Sequence, residues 1–194
     1  MRNMTKLIAE IGWNHMGDMD LAKNMILAAK SSGTDFVKTQ IFNVKSLKPG
    51  PWDTDGRREI YEKAQLNFKK YKELREFADT NSTIFFASVF SKADVDLVKE
   101  VNTDYIKIPS MESRNEELIQ YCAKHFDNII ISTGTSNWNE IRVITQHINE
   151  CKVTLLHCVS SYPCDFDVVN LPRINDLKRL STSVGFSDHT QGIE

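Results

Sequence analysis

The sequence predicts an α/β fold, a TIM (β/α)8-type barrel of which about seven strands are present. Short β-rich runs alternate with amphipathic helical patterns along the chain, and strands joined through single helices need crossover connections that produce a parallel sheet. Polar residues cluster at the C-terminal ends of almost all these runs, where barrel enzymes place their chemistry. The turn Glu10-Ile-Gly-Trp-Asn14 lacks the glycine-rich dinucleotide fingerprint, which argues against an open doubly wound sheet.

The β-rich runs are short and end in small or polar residues. They occupy residues 6–12, 36–42, 83–89, 105–109, 128–133, 153–158 and 182–187. Helical patterns occupy residues 21–30, 69–79, 93–101, 116–125 and 137–150. A barrel needs eight strands, so the sequence predicts a chain that ends after the seventh strand.

The first helix shows how the helical patterns are recognised. Leu21, Met25, Ala28 and Ala29 fall on one face at helical spacing, which predicts that this face packs on the core. Asp18 and Asp20 precede the helix and are candidate N-terminal caps. Gly33 follows the helix and is a candidate stop.

Residues 43–67 form the one predicted irregular segment, which contains Pro49-Gly-Pro-Trp-Asp53. A loop of this length inside a compact unit is usually functional or mobile. Because it follows the second strand on the presumed active face, it predicts a lid over the substrate. A surface excursion without regular structure is the alternative.

Composition bounds the class of protein. The 194 residues, of which 41% are hydrophobic, predict one domain over residues 1–194. The net charge of −2 does not favour nucleic-acid binding, and no apolar run approaches the roughly 20 residues that span a bilayer. The four cysteines contain no C-x-x-C pair, and the N-terminus lacks a secretory signal, so we expect reduced thiols in a cytoplasmic protein.

The polar residues at the strand ends share one chemical theme. Two lysines, Lys38 and Lys107, are accompanied by serine and threonine hydroxyls, which suits a small dianion such as phosphate. Histidines together with a carboxylate suit a divalent metal. The full strand-end set is Glu10, Asn14, His15, Lys38, Gln40, Ser88, Lys107, Ser110, Ser132, Thr133, His157, Ser160, Tyr162, Ser187, Asp188 and His189.

Several of these residues have a simpler interpretation. Lys107 alone is compatible with a Schiff-base nucleophile, although its hydroxyl-rich surroundings favour anion binding. His157 is compatible with a hydrogen-bonded core histidine, and His125 and His147 lie on predicted helices facing solvent. Single serines at strand ends are often turn or cap residues.

Six motifs, spread over essentially the whole chain, resemble the N-terminal barrel of the sialic acid synthase family, which comprises the N-acetylneuraminate, legionaminate and pseudaminate synthases. In chain order they are Ala9-Glu-Ile-Gly-Trp-Asn-His-Met-Gly17, Val37-Lys-Thr-Gln40, Tyr105-Ile-Lys-Ile-Pro-Ser110, Ser132-Thr-Gly134, Leu155-Leu-His-Cys158 with Ser161-Tyr-Pro163, and Gly185-Phe-Ser-Asp-His-Thr190 with Gly192.

The resemblance implies a C–C bond-forming transferase. Such an enzyme condenses phosphoenolpyruvate with an N-acetylated hexosamine aldehyde, such as N-acetylmannosamine, to a nine-carbon 2-keto acid and phosphate. It implies a divalent metal, Mn²⁺ or Mg²⁺, that polarises the aldehyde oxygen. It also implies that the partners are the two substrates and a second copy of the chain or a complementing chain.

The resemblance also carries residue roles across by position. Glu10 matches an acidic residue near the sugar, Tyr162 matches a sugar-contacting tyrosine, and His189 matches one of two histidine metal ligands. Ser88 and Ser160 stand where relatives carry threonine and asparagine. The phosphoenolpyruvate-binding set comprises Lys38, Ser88, Lys107, Ser110, Ser132, Ser160 and Ser187.

The sequence departs from the family at its C-terminal side. The second metal histidine lies in the family on the eighth strand, beyond Glu194, and the C-terminal antifreeze-like domain is absent from this sequence. We therefore expect an isolated chain that is marginally stable or oligomeric, because unpaired edge strands invite association. The alternatives are a non-catalytic truncated barrel, one piece of a split enzyme, and a related sugar-phosphate synthase that would need a further basic site.

Overall fold

The computed structural model describes residues 5–47, 49–148 and 150–192. The chain divides into two compact units, Met1–Asn102 and Thr103–Glu194. Strands and helices alternate in both units, as expected for crossover connections.

The N-terminal unit carries three parallel strands in the order β1 (Ile8–Gly12), β2 (Phe36–Ile41) and β3 (Ile84–Val89). Its helices are α1 (Met19–Ser31), α2 (Arg57–Ala64), α3 (Phe68–Thr80) and α4 (Lys92–Lys99). The register places Lys38 opposite Glu10 on one side, and places Gln40 opposite Ser88 on the other. The sheet register therefore pairs four of the predicted strand-end residues before any side-chain contact is considered.

The C-terminal unit carries four parallel strands in the order β4 (Tyr105–Ile108), β5 (Asn128–Ser132), β6 (Lys152–His157) and β7 (Ser183–Phe186). Its helices are α5 (Glu116–Ala123), α6 (Trp138–Gln146) and α7 (Arg173–Leu177). The five-residue α7 was not predicted, because one turn is too short to show helical periodicity.

The core of each unit contains a strand that is buried on both faces. In β3 the successive residues 85–87 are completely buried, and in β5 the successive residues Ile129, Ile130 and Ile131 are at most 5% exposed. Continuous apolar runs of this kind are typical of parallel strands covered by helices. They explain why the strands were predicted to within one or two residues at most ends.

The predicted buried face of the first helix is confirmed at Ala29 and wrong at Leu21. Leu21 is 41% exposed, whereas Ala22 and Ile26, which were not predicted, are buried together with Ala29. Both stripes are apolar at helical spacing, and the packing of α1 on the sheet and on α3 selects the stripe beginning one residue later. Asp18 is confirmed as the N-terminal cap, since its side chain accepts from the backbone of residues 20 and 21.

The segment 43–67 is not irregular. It contains two short 3-10 turns, Val44–Ser46 and Pro51–Asp53, followed by α2. Aromatic packing explains this order, because the rings of Trp13, Phe42 and Trp52 all lie within 6 Å of the Tyr61 ring, centroid to centroid. The lid function of this segment stays a prediction.

Within the part of the chain that the structure describes, no helix is long and apolar enough to cross a membrane.

Candidate functional site

The N-terminal unit holds a cluster of Glu10, Lys38 and Ser88. Lys38 is 7% exposed, its Nζ donates to Ser88 Oγ at 2.8 Å, and it forms an ion pair with the Glu10 carboxylate. The same carboxylate accepts from the backbone N–H of Gly12 at 2.8 Å. Burial, together with a hydroxyl and a carboxylate partner, fixes the Lys38 ammonium at one position, where an incoming anion would meet Glu10 as a competitor.

The C-terminal unit holds a second buried lysine, whose amine donates hydrogen bonds to a hydroxyl and to a backbone carbonyl. Lys107 is 5% exposed, and its Nζ donates to Ser132 Oγ at 2.6 Å and to the Ile108 carbonyl at 2.9 Å. Burial lowers the pKa of Lys107 to about 7. An anion bound beside this amine would favour its protonated form, so anion binding and proton uptake are coupled here.

Ser110 and Ser160 lie beside each other in the same unit. Their hydroxyls are in direct contact, although Ser110 opens the turn after β4 and Ser160 follows β6. Gly134 permits this arrangement, because a Cβ at Gly134 would lie 2.5 Å from Ser160 Oγ and 2.6 Å from Cys158 Sγ. The close approach therefore requires glycine after Ser132-Thr133.

Ser187 extends the end of β7 towards β6. Its backbone N–H donates to the His157 carbonyl at 2.8 Å, and the residue is partly exposed. The structure thus places Ser187 next to the end of β6, whose chain continues to Ser160.

Tyr162 and His189 form a pair at the surface. The Tyr162 hydroxyl lies 2.9 Å from His189 Nε2, and the two rings lie 4.0 Å apart, centroid to centroid. His189 Nδ1 lies 2.7 Å from the Val159 carbonyl. A carbonyl only accepts, so Nδ1 carries a proton, and in the neutral imidazole Nε2 keeps a lone pair that accepts from Tyr162. A ring that donates from one nitrogen to a carbonyl and keeps a lone pair on the other is suited to bind a metal.

The described residues fit a metal only as a single imidazole ligand. In the three described ranges, no group of three or more His, Cys, Asp or Glu side chains could hold a metal ion. His189 has the correct tautomer for one ligand, and any other ligands would be water, substrate oxygens or groups outside those ranges.

The interpretation of His157 as a core histidine is confirmed. His157 is buried, its Nε2 lies 2.6 Å from the Val169 carbonyl, and its ring stacks on Phe186. His147 is exposed as predicted, and its Nδ1 lies 2.9 Å from Glu116 Oε1.

Sequence reasoning missed a second group of hydroxyls. The Ser113 hydroxyl contacts the hydroxyls of Thr135 and Ser136 and donates to the Ser110 carbonyl. The available signal was the density of hydroxyl residues on both sides of two predicted strand ends, since Ser113 follows Ser110 by three residues and Thr135-Ser136 follows Gly134.

A separate cleft of about 480 Å³ lies in the N-terminal unit, between the end of β2, α2 and the first turns of α3 and α4. It contains none of the predicted site residues. Its lining residues are Ile41, Phe42, Asn43, Lys45, Glu62, Gln65, Leu66, Asn67, Lys70, Ala93, Asp94 and Leu97.

Comparison with known proteins gives a consistent answer. The sequence profile of the NeuB family matches residues 25–194. The chain is 37% identical to the N,N'-diacetyllegionaminic acid synthase of Campylobacter jejuni, over 97% of this chain and 62% of that protein. It is 31% identical to the human N-acetylneuraminate-9-phosphate synthase, over 96% of this chain and 56% of that protein.

Among solved structures, the chain matches the N-acetylneuraminic acid synthetase from Leptospira borgpetersenii, determined in complex with citrate, with a TM-score of 0.87 and 29% identity. The match covers 100% of this chain and 70% of that chain. The predicted fold class, an α/β barrel-type fold with seven of its strands, is confirmed. The chain spans 62% and 56% of the lengths of the two curated relatives named above.

Proposed function

Because the chain belongs to the NeuB family, we propose that it carries the phosphoenolpyruvate-binding part of a sialic acid-type synthase. The proposed reaction condenses phosphoenolpyruvate with an N-acetylated hexosamine aldehyde to a nine-carbon 2-keto acid and phosphate. The single observation that carries the proposal is the buried Lys107 amine at 2.6 Å from Ser132 Oγ, in the unit that also holds the Ser110–Ser160 pair.

The proposed chemistry needs no covalent bond to the protein. The enol C3 of phosphoenolpyruvate forms a bond to the aldehyde carbon, and water adds at C2. The resulting tetrahedral intermediate then expels phosphate by cleavage of the C2–O bond. Catalysis therefore consists of orientation and electrostatic stabilisation, which suits residues held rigidly by burial and hydrogen bonds.

We assign the roles by unit. In the C-terminal unit, Lys107 supplies the positive charge for the phosphoenolpyruvate anion. The proposed hydroxyl ligands of the anion are Ser110, Ser132, Ser160 and Ser187. In the N-terminal unit, Lys38 and Ser88 are proposed phosphoenolpyruvate ligands. Glu10 is proposed to transfer a proton or to bind a sugar hydroxyl.

Tyr162 and His189 complete the proposal. Tyr162 is 77% exposed, so the part of its ring that does not contact His189 is accessible to a sugar. We propose His189 as one ligand of a divalent metal, Mn²⁺ or Mg²⁺, which when bound acts as a Lewis acid on the aldehyde oxygen. We propose a homodimer or a complementing second chain as the working assembly, with light scattering after gel filtration as its measurement.

Calorimetric titration with phosphoenolpyruvate tests the central assignment. We expect Lys107→Met to weaken binding by about 10- to 100-fold, because hydrogen bonds to charged groups contribute about 1.5–3 kcal/mol each. Lys124→Met removes an exposed lysine of the same unit and serves as the matched control. No binding by the unmodified chain, or equal binding by Lys107→Met, would overturn the proposal.

A phosphate-release assay tests the reaction itself. The mixture contains phosphoenolpyruvate, Mn²⁺ and a panel of acetamido sugars, and we compare this chain with a form extended through an eighth strand. We expect release only from the extended form, with dependence on one class of sugar. Binding without release from either form would reduce the function to anion binding.

A further inference from the structure

Ser113 is a buried hydroxyl residue for which the family resemblance gives no role. It is 1% exposed and ends the turn Ser110–Glu112 that follows β4. Its Oγ lies 2.7 Å from the Ser110 carbonyl, 2.6 Å from Ser136 Oγ and 3.3 Å from Thr135 Oγ1. One side chain therefore joins the turn after β4 to the loop after β5.

The number of protons fixes the direction of these hydrogen bonds. The Ser110 carbonyl only accepts, so the single proton of the Ser113 hydroxyl is donated to it. The Ser136 hydroxyl must then donate to Ser113 Oγ. A guanidinium nitrogen of Arg173 on α7 donates to the Ser136 backbone carbonyl at 2.9 Å, so the main chain of the residue whose hydroxyl contacts Ser113 is itself held.

The Ser110 carbonyl is held from a second direction. The Thr135 hydroxyl also donates to it, and the Ser113 backbone N–H donates at 3.1 Å. Three donors on one carbonyl restrict the peptide that follows Ser110, and they leave its side-chain hydroxyl in contact with Ser160.

We propose that Ser113 is a positioning residue that fixes Ser110 for binding of the phosphoenolpyruvate anion. The inference rests on the proposed function, since it assigns Ser110 to that anion. A binding hydroxyl that is already ordered loses less entropy when the ligand arrives. Loss of Ser113 therefore weakens anion binding without removing any group that touches the anion.

The test compares Ser113→Ala with Ser181→Ala. Ser181 also donates to a backbone carbonyl at 2.7 Å, contacts Ser183 O at 3.0 Å and accepts from Ser183 N–H. It lies in the same unit but before β7, at the opposite end of the strand from Ser187. The two variants thus remove similar hydroxyl interactions at opposite strand ends.

We expect Ser113→Ala to weaken the binding of phosphoenolpyruvate and of inorganic phosphate by about 3- to 10-fold in calorimetry, as for the loss of one net hydrogen bond. We expect Ser181→Ala to lower Tm by about as much as Ser113→Ala does, and to leave both dissociation constants unchanged. Ser113→Thr keeps the hydroxyl and restores most of the affinity.

The outcomes separate this inference from the proposed function. If the unmodified chain binds neither anion, the proposed function fails and the role of Ser113 fails with it. If the unmodified chain binds and Ser113→Ala binds equally well, only the inference is overturned. If Ser113→Ala does not fold, Thr135→Val removes the other hydroxyl donor to the Ser110 carbonyl, and unchanged binding by that variant overturns the inference.

Discussion

At the scale of single residues, the two buried lysines illustrate opposite electrostatic solutions. Lys38 is paired with the Glu10 carboxylate, whereas Lys107 donates hydrogen bonds to a hydroxyl and a carbonyl. A buried amine without a carboxylate partner loses hydration that neutral groups do not replace, which disfavours its charged form. Lys107 is therefore the residue at which protonation and ligand binding are most strongly coupled.

This difference predicts how stability depends on pH. The pKa of Lys107 is lowered to about 7, against about 10.4 in an unfolded chain. Between these values the unfolded chain holds a proton that the folded chain lacks, so the Lys107 contribution to stability rises with pH. Its destabilising effect is complete below about pH 7 and fades towards pH 10.

We therefore expect Lys107→Met to raise the free energy of unfolding by about 1–2 kcal/mol near pH 7, because it removes the cost of burying an ionisable amine. The gain shrinks as the pH approaches 10. Urea denaturation of both proteins at pH 6.5, 8 and 9.5 measures it. A pH-independent difference in the free energy of unfolding would show that burial does not lower the pKa of Lys107.

At the scale of elements, the turn after β1 is packed on α2 by a backbone contact. Gly17 has a φ of +87°, and a Cβ there would lie 2.2 Å from the Lys63 carbonyl oxygen. The buried His15 supports the same turn, since its Nδ1 accepts from the Gly17 N–H at 3.1 Å. The family-like motif around residues 9–17 thus determines how the segment 43–67 is held.

We expect Gly17→Ala to reduce the free energy of unfolding by about 2–4 kcal/mol, because it combines a left-handed backbone with a steric clash. Gly33→Ala is the matched control, since its φ is +82° but no atom lies within 4 Å of the added Cβ. It should cost only about 1 kcal/mol. Equal losses of the two variants in urea denaturation, with equal proteolysis of residues 43–67, would show that the close approach of Gly17 to the Lys63 carbonyl does not contribute to stability.

At the scale of the whole molecule, the cysteines support the prediction of reduced, packed thiols. Cys122, Cys158 and Cys164 are buried, and all four cysteines are free. Burial raises the pKa of Cys122 to about 12 and that of Cys151 to about 11. Stability is therefore provided by the two packed cores and not by cross-links.

We expect the native chain to react slowly with Ellman's reagent at pH 8, because burial and raised pKa values leave little accessible thiolate. All four thiols should titrate at once in 6 M guanidinium, and Tm should not change on addition of a reductant. Rapid labelling of the native protein at Cys122 would contradict the packing described here.

The limits of prediction follow from what each pattern encodes. Strand positions were predictable because parallel strands are continuous apolar runs. The polar strand ends were predictable because parallel crossovers bring the C-terminal ends of the strands to the same edge of a sheet. The buried face of α1 was not predictable, since two apolar stripes compete. The role of Ser113 was not predictable either, since a serine after a strand end is usually a turn residue.

By itself, the sequence determined the alternation of strands and helices, the motifs that match the NeuB family, and the inventory of lysines and hydroxyls at the strand ends. These features depend on local periodicity and residue type, which can be read from short stretches of sequence. Only the tertiary structure decided that Lys38 is paired with Glu10 and Lys107 with neutral partners. It also decided that the Ser113 hydroxyl contacts both the Ser110 carbonyl and the Ser136 hydroxyl. Those relations join residues far apart in the chain, and their distances depend on packing that no local pattern records.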